Sequence, residues 1–187
     1  CGSGLARLAQ GAMDRDGVSI NTLRTGKDEY LPQLARWLGA DEKRDRLARG
    51  AFAALGDDGA RFLMAHYGEL SPAGRASAVA VIAQPADTRA ILRLVAVMGE
   101  AEDAAALQAL VGMGEPVVTC LTGLLHTDYY PDRVDRVLVA LGEKAVPRVL
   151  QALDSTLPGR VDRAIGILTS IGEPAVPSLV RGMLARG

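Results

Sequence analysis

The chain is short of several residue types, and each shortage removes a class of protein. Aromatic residues make up only 4% of its 187 positions: one Trp, four Tyr and two Phe. That is too little ring surface for an aromatic-rich sandwich core. Cysteine occurs twice, at Cys1 and Cys120, which provides neither a disulfide framework nor metal-ligand spacing. Histidine also occurs twice, at His66 and His126, and neither has a Cys, His or Asp cluster beside it in sequence. A surplus of one charge is missing as well: Lys and Arg number 21 against 22 Asp and Glu, for a net charge of −1. Nucleic-acid binders ordinarily carry a basic excess, so the balance argues against that class. No apolar run approaches the ~20 residues of a membrane-spanning helix. The longest, such as Ala76 to Ala83, are short and broken by polar residues.

What is abundant is Ala, Leu and Val, the residues of close helix–helix contacts, and they recur with a period. Met113-Gly114-Glu115-Pro116-Val117-Val118, Leu141-Gly142-Glu143-Lys144-Ala145-Val146-Pro147 and Ile171-Gly172-Glu173-Pro174-Ala175-Val176-Pro177 align directly. Weaker copies begin at Gly26, at Gly56 and at Gln84, which stands in the glycine's place. The anchors 26, 56, 84, 114, 142 and 172 are spaced alternately 30 and 28 residues apart. A fixed period of this size is the mark of a repeat architecture.

Each unit reads as two helices. The anchor glycine ends the first, where a left-handed backbone carries no Cβ penalty. The acidic residue or proline after it suits the start of the second. Counted from the anchor, offsets 4, 7, 8 and 11 are mostly apolar: Val176, Leu179, Val180 and Met183 in the last unit, Thr88, Ile91, Leu92 and Val95 in the third. This is one stripe of an amphipathic helix. A single pair is too small to bury it, so neighbouring units must stack. Trp37, at offset 11 of the first unit, is expected in that core.

The strings at 141–153 and 171–180 resemble the bacterial HEAT-like repeat. The resemblance spans roughly residues 26–187 and is strongest from about 100 onward. It implies an all-α, right-handed solenoid of about five to six helical hairpins over 26–187, with residues 1–25 as a tether and short helical segment. HEAT-like families are mostly interaction scaffolds. The implied function is therefore a non-enzymatic protein–protein interaction or assembly subunit, with no catalytic residues, metal or cofactor. Two alternatives stay open. One is a HEAT-like enzyme or enzyme accessory of the chromophore-lyase type, and the other is a DNA-binding solenoid.

The start Cys1-Gly2-Ser3-Gly4 resembles a mature bacterial lipoprotein. That implies a diacylglycerol on the Cys1 sulfur and acyl chains that hold the protein on a membrane without a spanning helix. No aspartate follows Cys1, so the implied place is the periplasmic side of the outer membrane, and the implied partners are proteins of a membrane-associated envelope complex.

Candidate contact residues follow from the helix pattern. Arg61, Arg89, Arg93, Arg148 and Arg181 fall on the second helices opposite the core stripe. There they could form a basic ridge that meets carboxylates on a partner; the plainer reading is a solvated face. Tyr129 and Tyr130, adjacent in the longest loop of the regular part, are candidate interface anchors or caps on the helices below. His66 and His126 are expected as exposed or helix-terminal residues. Asp14-Arg15-Asp16-Gly17 lacks the ligand pattern of a calcium loop and is expected to be a turn between helices. Cys120 is expected to be a small buried hydrophobe.

Overall fold

The computed structural model describes residues 2–99, 104–157 and 159–184. The fold is all-α: thirteen α-helices and three short 3₁₀ turns, with no strand among the described residues. In chain order the helices are α1 (Gly2–Met13), α2 (Gly17–Thr25), α3 (Lys27–Ala35), α4 (Glu42–Leu55), α5 (Asp57–Ala65), α6 (Pro72–Ile82), α7 (Thr88–Val97), α8 (Ala104–Met113), α9 (Glu115–Gly123), α10 (Pro131–Leu141), α11 (Val146–Ala152), α12 (Arg160–Ile171) and α13 (Val176–Leu184). The chain forms two compact units, residues 1–93 and 94–187, and the division falls within α7.

In the first unit α1 lies along α4 and packs on α2, while α4 also packs on α5 and α6. Leu5, Ala9 and Ala12 of α1 meet a core made of Leu23, Leu47, Ala48, Ala51, Phe52 and Leu55. Helix begins at Gly2, and the alanine-faced α1 is part of the packing of its unit. Asp14 to Asp16 is the turn between α1 and α2, with Arg15 left-handed at φ 62° and Gly17 opening α2. Asp16 caps α2 by accepting the Val18 and Ser19 amides.

In the second unit the helices pack in two series. α10 lies between α8 and α12, and α11 lies between α9 and α13. Most of the stripe is buried: Val117, Val118, Leu121 and Leu125 on and just after α9, and Val146 and Val149 on α11, with Leu150 and Leu153 half-buried. Full burial of each such side chain is worth about 1.5–3 kcal/mol. On α13 the pattern changes. Val176 and Val180 are 51% and 49% exposed, because no described helix covers that face of α13. Met183 lies outside the residues whose side chains are described.

The anchor glycines Gly56, Gly114, Gly142 and Gly172 share one backbone state, φ 57–70° with ψ −126 to −138°. The sign of φ is as expected, but ψ is far from the left-handed helix. The state is open essentially to glycine alone. It lets one residue close the helix before it and open the next. Gly26 has φ −96° instead. In that first unit the buried stripe is displaced by one position, to Leu31, Leu34, Ala35 and Leu38, leaving Trp37 only half-buried.

Candidate surface and internal clasps

Most of the arginine ridge turns inward along the chain. On α7, Arg93 donates from Nη2 to Asp57 Oδ1 at 2.8 Å, and Arg89 sits 3.6 Å from the same carboxylate. Arg93 is only 15% exposed. On α11, Arg148 donates to Glu115 at 3.3 Å. Each pair joins the second helix of one repeat to the second helix of the next. The acid stands one residue after its anchor (Asp57 after 56, Glu115 after 114), where it also faces the positive end of its helix. The Arg93 hydrogen bond and charge, with Arg89 and Arg61 adding attraction, hold the Asp57 carboxyl below the usual range. Arg181 donates to the Pro177 carbonyl. Of the five arginines, Arg61 alone is an exposed second-helix cation with no ion pair or hydrogen bond among the described residues.

A second set of arginines went unnoticed in the sequence. Arg75, Arg133 and Arg163 each stand nine residues before an anchor, at 84, 142 and 172. Arg75 reaches carbonyls just after α5, the second helix before it, whereas Arg133 and Arg163 pass over the second helix before them, to the end of α7 and the segment after α9. Arg75 donates to Gly68 and Leu70, both at 3.2 Å. Arg133 donates to Ala96 at 2.7 Å, and Arg163 to Leu125 and Thr127 at 3.1 and 3.2 Å. A guanidinium can satisfy carbonyls that a helix end leaves without amide partners. Arg163 also holds Asp135 at 2.6 Å. Three arginines at one offset from three anchors were legible in the sequence once the period was known.

Tyr130 has an αL backbone, φ 39° and ψ 59°, just before Pro131 opens α10. Its ring stands edge-on to Tyr129 at 4.9 Å and under the Arg133 guanidinium at 4.4 Å. Tyr129 is half-buried, and burial pushes its hydroxyl pKa up, with Tyr130 and Cys120 adding to the effect. Tyr130 is 41% exposed and, with Arg133 and Arg136, lines an open hollow of about 450 Å³. Cys120 is half-buried rather than fully buried, and desolvation raises its thiol pKa.

A further open surface lies in the first unit. α9, α11 and α13 pack directly in series, whereas α3 and α5 make only slight contact. Between them runs a groove of about 540 Å³ lined by Lys27, Leu31, Leu55, Arg61, Phe62 and His66, with the Arg24–Asp58 ion pair and Asp28 on its rim. Past Phe62 and His66 a second hollow of about 390 Å³ continues toward Pro32, Arg36, Leu38 and Leu70. The Phe62 and His66 rings are 4.4 Å apart and form the shared wall. His66 caps the C-terminal end of α5, with Nδ1 3.3 Å from the Glu69 carboxylate. Both hollows are open troughs rather than an enclosed cleft. His126 is exposed after α9. No group of three or more His, Cys, Asp or Glu able to hold a metal occurs among the described residues. No described helix is by itself long and apolar enough to cross a membrane. Cys1 lies outside the described residues.

No protein-family model, no curated protein and no solved structure matches the chain.

Proposed function

We propose that the chain is a HEAT-like solenoid that works as a non-enzymatic interaction subunit and presents its second helices to a protein partner. The recurring glycine state, the serial packing of α9, α11 and α13, and the clasps at a fixed offset support the repeat reading. The observation that carries the functional reading is the trough between α3 and α5. There the half-buried Phe62 and His66 rings, over the buried Leu31 and Leu55, meet a charged rim, on the face that second helices share. Open, partly apolar surface with a polar rim is the anatomy of a protein-binding site.

Photo-crosslinking tests this reading. A benzophenone side chain placed at His66 or Arg36 should capture one defined protein from native envelope extracts, and the same group at Thr169 on α12 should not. Equal capture from all three positions, or none from the first two, removes the reading. The envelope placement rests on the resemblance at Cys1. Its check is the intact mass of the native N-terminal peptide, with an acyl excess expected; a free Cys1 thiol and amine would end it.

A further inference from the structure

We infer that the α3–α5 trough takes a carboxylate side chain of the protein partner between Lys27 and Arg61, with a neighbouring apolar side chain against the half-buried Phe62 ring. This rests on the interaction reading above and names the chemistry the partner must carry.

The argument comes from the chain's own ladder. In two later steps the residue one after the anchor is an acid, Asp57 or Glu115, and it takes an arginine from the next second helix, five to nine residues after that helix's anchor. At the first step the same register holds Lys27 one after its anchor and Arg61 five after the next. Both line one trough. Neither makes an ion pair among the described residues, and Arg61 reaches Asp57 only as a distant charge. Where the steps from Gly56 and Gly114 supply an internal carboxylate, this one presents two cations. Two like charges facing one hollow raise the local potential and favour an incoming anion.

The rim decides which anion. Asp58 is held by Arg24 at 3.0 Å, and Asp28 stands exposed beside Lys27. These carboxylates repel a polyanion such as duplex DNA and tolerate a single negative charge. The half-buried Phe62 ring gives a neighbouring apolar side chain a surface to pack against. The occupant is therefore an acidic–apolar segment of a protein rather than a nucleic acid or a free phosphate.

The test uses the full chain and a short fluorescein-labelled peptide that alternates leucine with glutamate, followed by fluorescence anisotropy. A glutamine-for-glutamate peptide, inorganic phosphate and duplex DNA serve as competitors. The glutamate peptide should bind, and the glutamine peptide should bind weaker by a factor on the order of ten, the loss expected for one charge-assisted contact. Arg61→Gln should weaken binding similarly. Lys27→Asp restores the ladder pattern, so it should abolish peptide binding while raising the melting temperature, which separates a filled site from a misfolded one. Equal binding of the two peptides, binding unchanged by Lys27→Asp, or displacement by phosphate or DNA would overturn the inference. If the two peptides bind equally while the His66 crosslink persists, the carboxylate assignment fails and the interaction reading stands.

Discussion

At the scale of single residues, the anchor glycines show why one residue type recurs. A Cβ built on Gly142 meets nothing within 4 Å, so space is not what excludes other residues there. The constraint is the backbone, held at φ 57° and ψ −131°. Gly142→Ala should therefore lower stability by about 1–3 kcal/mol in chemical denaturation, with no change in helix content of the folded state. A neutral result would mean that the turn relaxes. Gly59 makes the opposite case: a Cβ there would overlap the Phe52 carbonyl oxygen, so its smallness lets α5 close on α4. Sequence pattern places Arg89, Arg93 and Arg148 on the polar side of their helices, but cannot say that an acid from the preceding repeat stands across from each. Charge reversal at Arg93 consequently breaks an internal pair and is a poor probe of a partner.

At the scale of elements, the clasps set how successive helices meet. Arg163 on α12 ties together the Leu125, Thr127 and Pro131 carbonyls and the Asp135 carboxylate of α10. Its side chain is 18% exposed and that of Asp135 32%, so solvent screens the pair only in part. Arg163→Met keeps the aliphatic stem but leaves the carboxylate and carbonyls without their donor. A loss of about 2–3 kcal/mol is expected. It should be accompanied by faster hydrogen exchange at the N-terminal end of α12, read by mass spectrometry. An unchanged melting temperature would show that water replaces the guanidinium without cost. Helix existence was legible from the repeat, because the 28–30-residue period and the apolar stripe repeat together. The offset of the stripe in the first unit was not. Gly26 lacks the glycine-only backbone state and Pro32 sits inside α3, which shifts the buried set by one residue.

At the scale of the molecule, the two units are expected to differ in their response to acid. Asp16, Asp45, Asp57 and Asp87 all have pKa values held below the usual aspartate range, and all lie in residues 1–93. Hydrogen bonds from the Ser19 hydroxyl and amide lead the effect at Asp16, the Arg93 contact at Asp57 and the Ala90 amide at Asp87. At Asp45 desolvation pushes the other way but is outweighed by hydrogen bonds from Ser77, Gly39 and Arg49. A depressed folded pKa contributes stability above the unfolded value of ~3.9, and that stability is lost as pH falls through the lower folded value. Between pH ~4 and ~2 the amides of α2, α4, α5 and α7 should therefore lose hydrogen-exchange protection before those of α10 and α11. Simultaneous loss would show that these carboxylates do not set the acid limit.

The sequence by itself determined that the chain is all helical, where most helices start and stop, and which glycines join them. Those features depend on local backbone preference and on a period written in residue order. Tertiary structure alone decided which arginines are consumed within the chain, that α1 joins the packing of its unit, and that α3 and α5 part to leave a trough. These depend on pairs some thirty residues apart in sequence, and their distances are set by packing rather than by any local pattern.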